Sequence, residues 1–188
     1  MKSKLREAIQ SDIYRYYGKY KIPYIIRFFH LNPGLEYMIS LRKTKYYKDK
    51  SHFMYAINRL NLDFLSKKYL FQIPYSADIG LGFYIGHFGS IIINSQVSFG
   101  SNINIAPGVT IGQTNRGPLK GSPSIGNDVW IGTNAVIVGK IVIGDDVMIA
   151  PNSYVNFVVP SHSIVIGNPG KIIHKDKATE YYINNKIF

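Results

Sequence analysis

The chain has 188 residues, 46% of them hydrophobic, which is long enough for one substantial core. Cysteine is absent, which excludes a disulfide scaffold, a cysteine-ligated metal site and thiol catalysis. The formal net charge of +11 is concentrated in the first 72 residues, which carry +10 of it and ten of the fifteen tyrosines.

The basic front part is open to several kinds of partner. Basic residues interleaved with tyrosines can contact nucleic acid, an anionic membrane surface or a polyanionic glycan, and a solvated helical face produces the same pattern. No nucleic-acid-binding motif accompanies the charge, so nucleic acid is not an expected partner. The start of the chain lacks the apolar segment of a secretory signal, and no run approaches the roughly eighteen apolar residues of a membrane span. We therefore expect a cytoplasmic protein.

Three helices are predicted in this front part. The first covers residues 3–17, where apolar side chains share one face, and Gly18 can end it. A second is predicted over residues 33–48, and a third over residues 52–69 with Ser51 as its N-cap. The stripe expected to be buried on the third helix consists of Phe53, Ile57, Leu60 and Phe64.

Through residues 79–160, a branched aliphatic residue recurs at every sixth position. The members before a single interruption are Ile79, Ile85, Ile91, Val97, Ile103 and Val109, and those after it are Ile125, Ile131, Ile137, Ile143, Ile149 and Val155. A period of six is typical of a hexapeptide β-helix and of neither an amphipathic helix nor an alternating strand. These hexapeptides predict roughly four triangular coils that stack the aliphatic side chains inside.

Residues 115–124 interrupt the repeat with a polar, glycine- and proline-rich segment. Because the period resumes in phase, we expect a loop inserted at a corner, and loops on rigid scaffolds commonly carry function. The predicted organisation is a helical domain over residues 1–70, a β-helix over residues 71–170 and a tail over residues 171–188. The end of the tail, residues 176–188, is expected to be a short helix or disordered.

His87 is the only histidine inside the repeat. An imidazole among stacked Ile and Val side chains would need a partner for each ring nitrogen, so we expect His87 to face outward. There it could be a catalytic base or an ordinary structural residue. One histidine supplies too few ligands for a catalytic zinc ion, which usually has three from the protein, so no metal site is predicted.

Five motifs carry a resemblance to a known family, namely Phe71–Pro74, Ile85–Gly89, Gly108–Gly112, Val129–Gly132 and Gly167–Lys171. Together with the corner loop, they resemble the hexapeptide-repeat acyltransferase superfamily, in particular its serine O-acetyltransferase-like branch, over nearly the whole chain. The resemblance implies a mostly β protein, with a left-handed parallel β-helix after an N-terminal α-helical domain. It also implies a homotrimer that binds acetyl-CoA as co-substrate in the groove between neighbouring subunits.

In this resemblance the family's catalytic base falls on His87, which would take a proton from an acceptor hydroxyl as its oxygen attacks the thioester carbonyl. An unperturbed imidazole titrates at about pH 6.5, which suits this task without a metal. The expected acetyl-CoA contacts, largely through backbone, are Gly112, Gln113, Thr133, Pro151 and Lys171. A backbone N–H near the first two is expected to hold the oxyanion.

Four positions depart from the true serine acetyltransferases. That branch has acids where this chain has Gln72 and Gly86, and an Arg-His pair in the corner loop where it has Gly121 and Ser122. Losing charged hydrogen bonds of about 1.5–3 kcal/mol each would cripple the recognition of a zwitterionic amino acid. L-Serine is therefore not the predicted acceptor.

The predicted acceptor is a hydroxyl of a saccharide, in a cell-surface polysaccharide or its precursor. Neutral donors, acceptors and an aromatic platform for a sugar are expected from Gln72, Tyr84, Phe88, Asn115 and Trp130. The basic front part would then attract an acidic glycan or a lipid-linked precursor at the inner membrane face. Two alternatives stay open, a serine O-acetyltransferase of cysteine synthesis and a non-catalytic β-helix that acts as a scaffold or glycan-binding module.

Overall fold

The computed structural model describes residues 2–22 and 31–188. Its helices are α1 (Lys2–Tyr17), α2 (Pro33–Tyr47) and α3 (His52–Tyr69). These confirm the three predicted helices. Gly18 ends α1 with a left-handed φ of 62°, and the side chain of Ser51 caps α3 by accepting the Met54 N–H at 3.3 Å. In the two described ranges, no helix is long and apolar enough to cross a membrane.

The prediction for the buried face of α3 is wrong. The expected stripe is exposed, to 73% at Phe53, 46% at Ile57, 71% at Leu60 and 62% at Phe64. The buried residues of this helix are instead Asn58, Leu62, Leu65 and Tyr69. Both sets recur at helical spacing, and periodicity alone does not choose between two such faces. The second set packs against α2 and the first β-strand, which leaves the first set in solvent.

The rest of the chain winds into a triangular β-helix whose three sides are three sheets. Sheet A contains β1 (Phe71–Gln72), β4 (Ile91–Ile93), β7 (Thr110–Gly112), β10 (Val136–Val138) and β13 (Tyr154–Val155). Sheet B contains β2 (Asp78–Ile79), β5 (Ser98–Phe99), β8 (Ser124–Ile125) and β11 (Val142–Ile143). Sheet C contains β3 (Tyr84–Ile85), β6 (Asn104–Ile105), β9 (Val129–Ile131), β12 (Val147–Ile149), β14 (Ser163–Ile166) and β15 (Lys171–His174). Neighbouring strands pair in parallel, except that β15 is antiparallel to β14.

The inward column of the β-helix is the predicted one. All twelve periodic aliphatic residues are buried, and the most exposed of them, Ile79, is only 6% exposed. The stack has five strands in sheet A, so there are about five coils where four were expected. Burial continues beyond the recognised repeat, at Ile73 before it and at Val159 and Val165 after it. The predicted fold class is confirmed.

The corner loop joins β7 to β8. It closes on itself through two backbone bonds between Thr114 and Gly121, of 3.0 and 2.9 Å. Beyond the loop, Ile125 stacks between Phe99 and Ile143 in sheet B. The insertion therefore leaves the coil in phase, as predicted.

A buried ion pair joins the helical part to the first coil. Asp12 of α1 is fully buried, and Arg42 of α2 contacts it at 3.0 Å. Arg42 also donates to the carbonyl of Ile79 at 2.6 Å, while the N–H of Phe83 donates to Asp12 at 2.9 Å. Burial raises the pKa of Asp12, and the positive charge of Arg42 opposes that shift.

The tail is ordered and not helical, so both expectations for it are wrong. It runs back along sheet C through turns and side-chain contacts. Asn102 exchanges two hydrogen bonds with the backbone of Ile187, at 3.0 and 2.9 Å, and Asn104 donates to the carbonyl of Tyr182 at 3.0 Å. These partners are far apart in the sequence, which is why no local pattern announces them.

Asp146 anchors the start of the tail. It accepts hydrogen bonds from the N–H groups of Ala178 and Thr179, both at 3.0 Å, and from the Thr179 hydroxyl at 2.7 Å. His162 also contacts it, at 2.9 Å. Burial alone would raise the pKa of Asp146, but the hydrogen bonds from Thr179, His162 and the backbone outweigh it and lower that pKa.

Candidate active site

His87 lies at the corner between β3 and β4, where sheet C gives way to sheet A, and its side chain is exposed as predicted. The end of α3 holds this corner in place. The N–H of Gly89 donates to the carbonyl of Tyr69 at 3.1 Å, and the N–H of Ile91 donates to that of Leu70 at 3.2 Å. The histidine backbone is therefore positioned by both parts of the molecule.

Two of the predicted acetyl-CoA contacts share this edge of the prism. Thr133 and Pro151 follow β9 and β12, which lie in the same sheet as β3, and both are exposed. Their corners touch, since the N–H of Asn152 donates to the carbonyl of Thr133 at 2.9 Å. We call this column of corners between sheets C and A the C–A edge. It brings His87, Thr133 and Pro151 to one side of the chain.

The corner-loop residues lie on a different edge. Gly112 ends β7, and the exposed Gln113 follows it at the corner between sheets A and B. The side-chain amide of Gln113 donates to that of Asn115 at 2.6 Å. Within one chain, the strands of sheet A separate these residues from the C–A edge. Lys171 is exposed in β15, beyond the last coil.

The aromatic residues expected at the acceptor site are not brought together. Tyr84 packs against Tyr16 of α1, with ring centroids 4.4 Å apart. Trp130 packs against Tyr182 of the tail at 5.0 Å. Both lie on sheet C, whereas Phe88 follows His87 at the corner and is 66% exposed. Only Phe88 is thus presented beside the histidine.

Gln72 lines a cleft of about 370 Å³ between α3 and the strands β1 and β4. The floor of the cleft is apolar and includes Leu62, Ile73 and Ile93, all at most 3% exposed. Tyr37 also lines it and donates its hydroxyl to the carbonyl of Ile73 at 2.9 Å. Burial raises the pKa of Tyr37 to about 12, so this hydroxyl stays protonated at neutral pH.

The rim of this cleft carries charges that the sequence analysis missed. Arg59 and Asp63, one turn apart on α3, form an ion pair there with side chains 40% and 45% exposed. The Arg59 guanidinium also lies 5.5 Å from the ring centroid of Tyr75. The i, i+4 spacing was visible in the sequence, but it usually indicates only a solvated helix face. Among the described residues, no group of three or more potential metal ligands occurs.

Comparison with known proteins points to one family. A family model described as bacterial transferase hexapeptide (six repeats) matches residues 122–156. The chain is 36% identical to the serine acetyltransferase of Helicobacter pylori (strain ATCC 700392 / 26695) over 106 residues, 56% of this chain and 62% of that protein. It is 38% identical to the serine acetyltransferase of Staphylococcus aureus (strain Mu50 / ATCC 700699) over 105 residues, 56% and 49% of the two. The chain thus spans between about half and three fifths of these relatives.

The same similarity appears among solved structures. The serine acetyltransferase of Neisseria gonorrhoeae in complex with serine superposes with a TM-score of 0.72 at 25% identity. The superposition covers 91% of this chain and 69% of that one.

These comparisons overturn the predicted saccharide acceptor. The relatives and the structural neighbours are serine acetyltransferases, which is the first alternative that the sequence left open. A role in polysaccharide synthesis finds no support among them. The prediction of a saccharide rested on the absence of charged groups at Gln72, Gly86, Gly121 and Ser122.

Proposed function

We propose that this chain is a hexapeptide-repeat acyltransferase that transfers an acetyl group from acetyl-CoA to the hydroxyl of L-serine. The observation that carries this proposal is the exposed His87 on the C–A edge, in a chain whose relatives are serine acetyltransferases. No metal takes part in the proposed reaction.

His87 is the proposed general base. Its neutral imidazole takes the proton from the serine hydroxyl while that oxygen attacks the thioester carbonyl of acetyl-CoA. The tetrahedral intermediate then collapses, the carbon–sulfur bond breaks, and the imidazolium returns the proton to the leaving thiolate. The products are O-acetylserine and free CoA.

Acetyl-CoA is proposed to bind between copies of the chain in a homotrimer. Thr133 and Pro151 share the C–A edge with His87, whereas Gly112 and Gln113 lie at the other end of sheet A. A neighbouring copy packed against the C–A edge could supply its own corner loop and so complete the site. The backbone N–H groups near Gly112 and Gln113 are the proposed oxyanion donors.

The test is an assay of the purified protein with acetyl-CoA and L-serine. We expect serine-dependent release of free thiol, with O-acetylserine identified by mass spectrometry. Light scattering should give a particle of three times the 21.3 kDa chain mass, or a multiple of that. Thiol release that does not depend on serine, or none at all, would overturn the proposed activity.

A further inference from the structure

The cleft beside Gln72 combines an apolar floor with one cation and one anion. Its floor is formed by buried residues of the hydrophobic core, so a ligand there would be shielded from water on one side. The charges stand at the rim, where the side chains of Arg59 and Asp63 are half-exposed, and the neutral amide of Gln72 also lines the cleft. Such a site combines shape with a few polar groups that orient a ligand.

The Arg59–Asp63 pair can be opened at little cost. Ion pairs at i, i+4 on an exposed helix typically contribute only about 0.3–0.5 kcal/mol. A guanidinium has five N–H donors, and one bond to Asp63 leaves the others to meet a carboxylate. Asp63 likewise has a second carboxylate oxygen that can accept from an ammonium group. Both charges could therefore be used by a ligand.

The charge pattern selects the class of ligand. A simple anion would be attracted by Arg59 but repelled by Asp63. A simple amine would be attracted by Asp63 but repelled by Arg59. A neutral sugar would leave both charges without a new partner. A molecule with a carboxylate and an ammonium group on the same carbon atom matches both charges at once, since Arg59 and Asp63 are themselves in contact.

We propose that this cleft binds an α-amino acid, with Arg59 receiving its carboxylate and Asp63 its ammonium group. The inference rests on the proposed function in naming L-serine as that amino acid. It supplies a cation and an anion that the chain lacks at Gln72, Gly86, Gly121 and Ser122. Strand β4, which lines the cleft through Ile92 and Ile93, is also the strand that begins just after the His87 corner.

Substrate analogues make the test specific to each charge. L-Serine carries both groups, ethanolamine lacks the carboxylate and 3-hydroxypropanoate lacks the ammonium. For Arg59→Gln we expect the KM for L-serine to rise about ten- to a hundredfold, as for the loss of one charged hydrogen-bonded contact. The KM for ethanolamine, the KM for acetyl-CoA and kcat should stay near the wild-type values. For Asp63→Asn the KM for L-serine should rise similarly, while that for 3-hydroxypropanoate stays unchanged.

Two controls separate binding from helix stability. In the tail, Lys177 and Glu180 form an exposed ion pair with 3.8 Å between Nζ and Oε1. The single variants Lys177→Gln and Glu180→Gln remove this pair and should leave kcat and every KM unchanged. The double variant Arg59→Asp with Asp63→Arg keeps an ion pair on α3 but reverses its direction. It should remain as defective toward L-serine as the single variants. Recovery of the wild-type KM in this double variant would show that only the helix mattered and would overturn the inference.

Calorimetry with L-serine on the His87→Ala variant tests binding without turnover. If Arg59 and Asp63 control that affinity but the wild-type enzyme acetylates no serine, the cleft is an amino-acid site and the proposed activity fails. If the wild-type enzyme acetylates serine and both single variants keep its KM and affinity, the activity stands and the inference about the cleft is wrong.

Discussion

The β-helix and the helical front part are stabilised in different ways. In the β-helix, equivalent aliphatic residues such as Ile111, Ile137 and Val155 stack from coil to coil, so many positions share the stabilisation. The front part instead contains a fully buried carboxylate, Asp12, that Arg42 neutralises, and it leaves four large apolar side chains of α3 exposed. We therefore expect a single substitution to lower the unfolding free energy only slightly in the repeat. The same kind of change should lower it strongly at the junction between the two parts.

The largest change in stability is expected from Asp12→Ala. Removing one partner of a buried pair leaves Arg42 as an uncompensated buried charge, which costs about 3–5 kcal/mol of unfolding free energy. Chemical denaturation followed by circular dichroism measures it. The control is Asp78→Ala, since Asp78 is 84% exposed and lies 3.7 Å from Lys45, and that change should cost at most about 1 kcal/mol. Equal unfolding midpoints for the two variants would disprove the role of the buried pair.

A pair of leucines tests which face of α3 is packed. Leu65 is 1% exposed and Leu60 is 71% exposed on the same helix. Leu65→Ala should therefore lower the unfolding free energy by about 2–5 kcal/mol. Leu60→Ala should change it by no more than about 0.5 kcal/mol, as for a surface substitution. The opposite order in denaturation would restore the originally predicted face.

A substitution inside the β-helix should have a smaller effect. Ile137 is fully buried between Ile111 and Val155. Ile137→Val removes one methylene group and should cost about 0.5–1.5 kcal/mol in the same denaturation experiment. A loss as large as that of Asp12→Ala would contradict the view that the repeat spreads its stabilisation over many positions.

The smallest expected effect is that the tail detaches from sheet C when the pH is lowered. Because the pKa of Asp146 is lowered in the folded protein, its contribution is present above its ordinary pKa and is lost as the pH falls through the lowered value. Trp130 is the only tryptophan and contacts Tyr182 of the tail, so its fluorescence reports the release. In Asp146→Asn this transition should be absent, while circular dichroism checks that the β-helix remains folded. An identical transition in the variant would exclude Asp146 as its cause.

Much of the β-helix could be predicted because one physical constraint repeats. Every coil must bury an aliphatic residue at the same place, so the period alone identified the inward column and the in-phase loop. The exposed position of His87 followed from the same constraint, because no partner for an imidazole exists within that column. The bounds of the three helices followed from local signals, such as the Ser51 cap and Gly18.

What escaped prediction depends on contacts between distant parts of the chain. Nothing local shows that α3 turns Leu62 and Leu65 inward, or that Asn102 holds the tail through Ile187. The Arg59–Asp63 pair could be seen in the sequence, but its place on a cleft lined by β1 and β4 could not. The saccharide acceptor was predicted because charges were compared position by position, at Gln72, Gly86, Gly121 and Ser122.

The proposed chemistry is tested most directly by His87→Ala. We expect kcat for serine-dependent thiol release to fall by about 10²- to 10⁴-fold, the usual contribution of a general base. The affinity for L-serine and the circular dichroism spectrum should stay those of the wild type. The control His174→Ala replaces a histidine that is 73% exposed in β15 and should keep full turnover. Wild-type turnover in His87→Ala would contradict the proposed catalytic role of this histidine.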